Sequence, residues 1–184
     1  ESLFELERAY DDWKDGRWSQ KPYIDMLIPS QIDPTMAPTG AHMMTVFVQY
    51  APYDLAVEGV RSADNWNDRR RQAMADAVLD QISVACPDIR ERVVHMEVRS
   101  PLEIEREVGL TEGTIFQGEL TCVQLFLIRP VPGWSLCVLP IRGLYLCGSS
   151  AHPGGGVMGA PGANAARAIL RDSKRHGRMT GYAA

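Results

Sequence analysis

At 184 residues, 45% of them apolar, the chain is long enough for one domain, or one and a half, built around a sizeable core. A net charge of −4, from 19 basic and 23 acidic residues, with a pI near 5.6, argues against the electrostatic footprint of a nucleic-acid binder. The run Arg69, Arg70, Arg71 reads as a solvated helix face. No stretch reaches the roughly 18 uninterrupted apolar residues of a membrane span, and the acidic first segment is unlike a signal peptide. The expectation is therefore a soluble, cytoplasmic chain with no membrane span and no nucleic-acid partner.

In chain order, Ser2 and Glu5 have the spacing of a capping box. Leu3, Leu6, Tyr10 and Trp13 then recur at helical intervals, which predicts an amphipathic helix that Gly16 can end. "PYIDMLIPS" reads as a strand and "DPTMAPTGAH" as a loop punctuated by Pro and Gly. The β-branched and aromatic "MMTVFVQYAPY" predicts a second strand that Pro52 should terminate. Between residues 64 and 85, Met74, Val78, Ile82 and Ala85 lie on one helical stripe with Trp66 nearby, and Pro87 closes the element. "RVVHMEVRS" alternates like a strand, "PLEIEREVG" predicts a short helix with Pro101 at its start, and "LTCVQLFLI" is a further candidate strand. Strands and helices mixed without regular βαβ alternation predict an α+β body, a mixed or antiparallel sheet carrying helices on one face.

Cys86, Cys122, Cys137 and Cys147 lie far apart with no C-x-x-C pair and no histidine at zinc-ligand spacing, so no metal site is expected and buried thiols are the simpler reading. His42, His95 and His176 are scattered, and each reads as structural or exposed. His152 is different because it sits in a glycine-rich run. "GLYLCG", residues 143–148, reads as a short strand, "AHPGGGVMGAPG" follows, and "NAARAILRD" is strongly helix-forming. In a strand, glycine-rich turn and helix, backbone N–H groups and the positive helix end can converge on an anion, usually a phosphate. The same pattern also serves as a tight turn that packs a helix onto a strand.

The run is not a P-loop, since no Gly-Lys-Ser/Thr follows and no lysine lies between residues 88 and 172. "GGGVMG" has the G-x-G-x-x-G spacing, but the 25 residues after Gly159 are too few for a strand-helix-strand unit and its ribose-binding acid.

The stretch "GLYLCGSSAHPGGGVMGAPGANAA" closely resembles the carboxy-terminal signature of phytoene desaturase-like FAD-dependent oxidoreductases, in particular the branch of pyridine nucleotide-disulphide oxidoreductase domain proteins. "IPSQIDPTMAPTGAHMMTVFVQYAPY", "GTIFQGELTCVQLFLIRPVPGW" and "PIRGLYLCG" resemble successive blocks of that family in the same order, so the likeness spans most of residues 22–172. It implies a substrate-domain portion over residues 1–142, a carboxy-terminal strand, glycine-rich turn and helix of a discontinuous FAD-binding domain over 143–172, and a flexible tail over 173–184.

By the same resemblance, Gly148 and Ser149 would sit near the FAD pyrophosphate. His152 and Pro153 would approach the isoalloxazine, and Gly154, Gly155, Gly156 and Val157 would bring N–H groups to the flavin and ribityl side, with Asn164 in the same block. The implied activity is hydride transfer from an apolar substrate to flavin, needing no protein nucleophile. Tyr50, Tyr53, Phe116, Phe126 and Trp134 are candidate pocket residues whose alternative is ordinary core packing. Arg129 either orients a substrate carboxylate or pairs with an acid. Near Gln117 and in "LTCVQ" and "SLCVLP" the chain departs from the family pattern, with apolar residues partly replacing polar ones.

No amino-terminal dinucleotide fold is present in the sequence, so the resemblance implies the carboxy-terminal part of a flavoenzyme. Its expected partner is the amino-terminal FAD-binding half, on the same gene product or a neighbouring chain. Two readings stay open: part of an FAD oxidoreductase, binding FAD weakly or not at all alone, or a non-catalytic module that self-associates or complements another chain. By the resemblance, a solitary chain would expose a strand edge and an apolar patch, and a homodimer, or a rearranged carboxy-terminal segment, that covers Leu144, Leu146, Ile169 and Leu170 is expected.

Overall fold

The computed structural model of the chain describes residues 3–118, 121–124 and 128–180, the side chains of 123 and 175–180 excepted, and divides them into two units, residues 1–113 and 114–184. The first unit opens on helix α1, Leu3–Lys14. The expected stripe is buried only in part: Leu3 and Phe4 are exposed, Ala9 is buried, and Tyr10 stacks on Trp13 with ring centroids 5.4 Å apart while meeting Tyr50 edge-on. Gly16 then adopts φ +76°, and a Cβ there would lie 3.1 Å from Ala56 Cβ, so only glycine ends the helix this close to the neighbouring strand. Ser2 of the expected capping box lies outside the described residues.

β1 (Tyr23–Leu27) and β2 (Thr45–Gln49) pair antiparallel with Tyr23 opposite Gln49 and Leu27 opposite Thr45. β3 (Leu55–Val57) and β4 (Val60–Ser62) form a separate hairpin. Helix α2, Asp68–Ser83, starts at Asn67, whose side chain accepts from the Arg70 N–H, and buries Met74, Val78 and Ile82 as the stripe predicted. Ala85 falls beyond its end and is exposed. The basic run is less solvated than expected, because Arg70 donates to the Asn65 carbonyl and Arg71 pairs with Asp68 and Glu103. The core gathers Leu55, Trp66, Met74 and Leu102, with Trp18 stacked on Trp66 and the Trp66 indole N–H bound to the Pro52 carbonyl at 2.9 Å.

A short helix α3 (Ile89–Arg92) follows α2. The strand expected from "RVVHMEVRS" does not form. Its alternating pattern finds no neighbouring strand to pair with, and Val94 is 97% exposed. Helix α4, Pro101–Val108, does form, with Pro101 in its first turn and Gly109 ending it at φ +76°. Its start is fixed by Glu103, which accepts from the Ser100 N–H at 2.7 Å and the Ser100 hydroxyl at 2.8 Å.

Beyond α4 the chain folds back. Glu105 accepts from the Glu112 N–H at 2.9 Å and from the Tyr53 hydroxyl. The hydrogen bond to Glu105, with partial burial, pushes the Tyr53 phenol up to about 12, while the bonds from Tyr53 and the Glu112 N–H hold Glu105 below its ordinary value. A raised phenol contributes stability that is complete below its unfolded value, about 10, and is lost as pH climbs towards 12. A depressed carboxylate contributes stability present above its unfolded value and lost as pH falls through the folded one. The stability difference between the protein and Tyr53→Phe should therefore be widest near neutrality and narrow in both directions. Urea midpoints across pH 3–11 check this, and a pH-independent difference would count against it.

The second unit has less regular structure. Cys122–Gln124 forms a single 3₁₀ turn in place of the expected strand, most of whose remainder lies outside the described residues. "GLYLCG" is reduced to one antiparallel bridge, Val138 with Tyr145. α5, Ala160–Thr180, is the long element, and it continues through most of the tail expected from residue 173. Among the described residues the strands pair only antiparallel, in two two-stranded sheets, which agrees with an α+β class. No described helix is long and apolar enough to cross a membrane.

Candidate functional site

The bridge between Val138 and Tyr145 is held by the Leu146 N–H on the Cys137 carbonyl (2.9 Å) and the Leu139 N–H on the Leu144 carbonyl (3.2 Å). It places residues 144–148 against a small core of Cys137, Ala151, Ala165 and Leu146, in which Cys137 is fully buried and burial pushes its thiol up. Tyr145 donates to Asp172 at 2.9 Å, which pins this segment to α5 and raises the phenol. The chain then makes two successive turns, Ala151 N–H to Gly148 carbonyl (3.0 Å) and Gly154 N–H to Ala151 carbonyl (2.8 Å), before the Ala163 N–H to Gly159 carbonyl bond begins the helix ladder.

The backbone conformation calls for glycine at three places in this turn. Gly154, Gly156 and Gly159 have φ of +109°, +121° and +66°, which side chains rarely adopt. At Gly148 nothing lies within 4 Å of where a Cβ would be, so the backbone there stands open to an approaching group. Among the described residues no acceptor is found for the N–H groups of Gly148, Ser149, Ser150, Gly155 and Gly156. The first turn of α5 adds further N–H groups without intrahelical partners. His152 Nδ1 is also buried without a partner.

Charge favours an anion here. Residues 120–171 contain no Asp or Glu but four arginines. The imbalance extends to the whole unit, since residues 114–184 carry 7 basic against 2 acidic side chains and residues 1–113 carry 12 against 21. A phosphate-bearing cofactor needs N–H donors, open backbone and a positive local field. The turn offers all three, and the His152 Nδ1 within it is buried without a partner. The residues present therefore fit a phosphate-bearing group, the part of FAD that such a turn would hold. Among the described residues no group of three or more His, Cys, Asp or Glu could hold a metal ion.

The predicted residues do not all play one role. Gly148, Ser149, His152, Pro153, Gly154, Gly155, Gly156 and Val157 lie consecutively or nearly so along the turn. Asn164 stands behind it, donating from Nδ2 to the His152 carbonyl at 3.5 Å while its Oδ1 accepts from Arg167 at 3.1 Å. Its amide is thus engaged in holding the turn. Among the described residues, Arg129 bonds backbone carbonyls. It is 1% exposed and donates to the carbonyls of Ser149 (3.2 Å), Phe116 (2.6 Å) and Gln117 (3.3 Å). The signal for such a buried cation is its place as the sole charged residue among residues 120–141. Of the candidate pocket aromatics, Tyr53 packs on the first unit's core, Tyr50 contacts Tyr10, Phe116 and Trp134 are partly exposed in the second unit, and Phe126 lies outside the described residues. A separate open cleft of about 390 Å³, lined by Val138, Arg142, Tyr145, Ile169 and Asp172 among others, includes none of the predicted cofactor residues.

Over 169 residues, 92% of its length, the chain is 46% identical to pyridine nucleotide-disulfide oxidoreductase domain-containing protein 2 of Rattus norvegicus, covering 28% of that protein. The chain is homologous to part of that oxidoreductase-domain protein. More distant similarity, at 28% identity, links it to the carotenoid 3,4-desaturase of Haloarcula japonica over 89% of the chain and 31% of the relative. Prolycopene isomerase 2 of an Oncidium hybrid cultivar is also 28% identical, over 80% of the chain and 24% of the relative. The chain thus spans under a third of the length of these curated relatives. No protein-family model and no solved structure matches it.

Proposed function

We propose that the chain is the carboxy-terminal, flavin-contacting part of an FAD-dependent oxidoreductase acting on an apolar substrate. The observation that carries this reading is the glycine-rich turn, with its acceptor-free N–H groups and unpartnered His152 Nδ1, in a stretch free of carboxylates from residue 120 to 171. Gly148, Ser149 and the first turn of α5 would bind phosphate, while His152, Pro153 and residues 154–157 would line the ring and ribityl side. Bound FAD supplies the hydride acceptor, and the protein contributes no nucleophile. N–H groups aimed at the ring's pyrimidine edge would stabilise negative charge arriving there, and the preorganised turn would do so without rearranging. The names of the desaturase and the isomerase, both directed at carotenoids, support an apolar substrate.

An absorbance spectrum of the purified chain, followed by flavin titration, tests this reading. Because the contact surface is only part of a dinucleotide's, immobilising so flexible a ligand is costly, and weak FAD binding without turnover is the expected result. Selective protection or shift of the 148–157 backbone by FAD supports the proposal. Saturating FAD without any response there overturns it.

A second reading is favoured by a different observation. Leu144, Ile169 and Leu170 are exposed, and Tyr145 and Cys147 present backbone groups on the far side of the bridge. Such an apolar edge suits a non-catalytic module that pairs with a separate amino-terminal FAD-binding chain, or with a second copy through a two-fold contact.

A further inference from the structure

We propose that Arg129 is a positioning residue for a phosphate-bearing ligand, and that it acts through one peptide group, making the Ser150 N–H a principal donor of the glycine-rich turn. The inference rests on the anion-binding reading of that turn and adds two residues to it.

Arg129 is the largest side chain among those almost fully buried. A cation taken out of water persists only where acceptors surround it. Here those acceptors include backbone carbonyls from two places in the second unit: Phe116 and Gln117 on one segment, and Ser149 at the entrance to the turn. The guanidinium fork suits this role because its donors are rigidly splayed, so one side chain fixes the relative positions of both segments.

The contact with Ser149 has a chemical consequence on the other side of the peptide. The Ser149–Ser150 bond is not among the cis peptides, so it is planar and trans, and the Ser150 N–H points opposite to the Ser149 carbonyl. A cation bonded to that carbonyl draws electron density from the amide and strengthens its N–H as a donor. The Ser150 N–H has no acceptor among the described residues and lies beside Gly148, where the backbone is open. Arg129 thereby acts on the Ser150 donor through the shared peptide group, without touching the ligand. Ligand discrimination follows as well, since a diphosphate gains from the polarised donor and a neutral group gains little.

The test is an amide-resolved nuclear magnetic resonance titration of the full chain with inorganic pyrophosphate, then with FAD. In the unmodified protein the Ser150 amide proton should move downfield at least as far as those of Gly155 and Gly156. In Arg129→Met the Ser150 movement should fall by about half or more, since a charge-assisted bond is roughly twice as strong as a neutral one. Arg129→Lys, which keeps the cation but loses the fork, should be intermediate. If Arg129→Met fails to fold, the unmodified protein and the lysine variant carry the comparison. A Ser150 amide that stays still while Gly148 or Gly155 responds overturns the role of Arg129 and leaves the anion-binding turn intact. Equal Ser150 movement in all three proteins, with only thermal stability changed, likewise overturns it and assigns Arg129 a purely structural role. Silence throughout residues 148–157 with both probes overturns the turn's anion role and this inference together.

Discussion

Replacing Gly113 with alanine is expected to destabilise the first unit by about 2–5 kcal/mol, the sum of left-handed backbone strain and overpacking. Gly113 has φ +67°, and a Cβ there would fall 2.3 Å from the Pro101 carbonyl oxygen and 2.6 Å from Pro101 Cα. These are backbone atoms at the start of α4, so no side-chain rotation relieves the clash. The Gly113 N–H closes a turn on the Leu110 carbonyl at 2.8 Å, and Glu105 holds the Glu112 N–H in the same fold-back. Displacing Gly113 therefore also disturbs Leu102, one of the four buried residues of the core. Chemical denaturation gives the measurement. The same substitution at Gly109, where φ is +76° but no atom lies within 4 Å, isolates the conformational part and should cost less. Equal losses at both positions would show that the contact with Pro101 contributes nothing.

Gly155→Asp, placed in a complete enzyme carrying this segment, is expected to weaken FAD binding by about 100-fold or more, since an unfavourable charge in a binding site costs several kcal/mol. A Cβ at Gly155 meets Ser149 Cβ at 3.3 Å, a tight contact on the turn's own wall. The larger effect is the carboxylate itself, in a stretch that has none between residues 120 and 171. Gly155 lacks the positive φ of Gly154 and Gly156, so its fold should tolerate the change. Gly155→Ala supplies the steric control and should lose far less affinity. Fluorescence titration of FAD with each variant is the check, and unchanged affinity and flavin potential in Gly155→Asp would assign the turn a structural role alone.

The division between what sequence reveals and what only contacts decide can be followed residue by residue. Met74, Val78 and Ile82 repeat at the helical period, and α2 buries all three, because helix geometry is local and its ladder closes within the element. Pro101 and Gly109 likewise mark α4 at both ends, and "SPLE" carries the Ser100 and Glu103 cap in its spacing. The strands differ. "RVVHMEVRS" has the alternation of a strand without being one, while "YIDML" and "TVFVQ" pair because each is the other's partner. A strand's backbone groups are satisfied only by another segment, which alternation along one segment cannot report.

The same reason divides the site. Glycines at 154, 156 and 159, a helix-forming segment after them and the lack of carboxylates around them are properties of the chain as written, and they are enough to mark a glycine-rich turn without local negative charge. That Asn164 holds the His152 carbonyl, that Arg129 is buried on the carbonyls of residues 116, 117 and 149, and that Ser150 keeps a donor free depend on residues brought together across up to 33 positions by folding. The sequence by itself determined the turn and the sign of the charge carried around it, because glycine's freedom and the distribution of ionised groups are local and additive. Tertiary structure alone decided which donors remain available, because a hydrogen bond made inside the protein removes a group from the ligand's reach, and that depends on what else arrives at the same place.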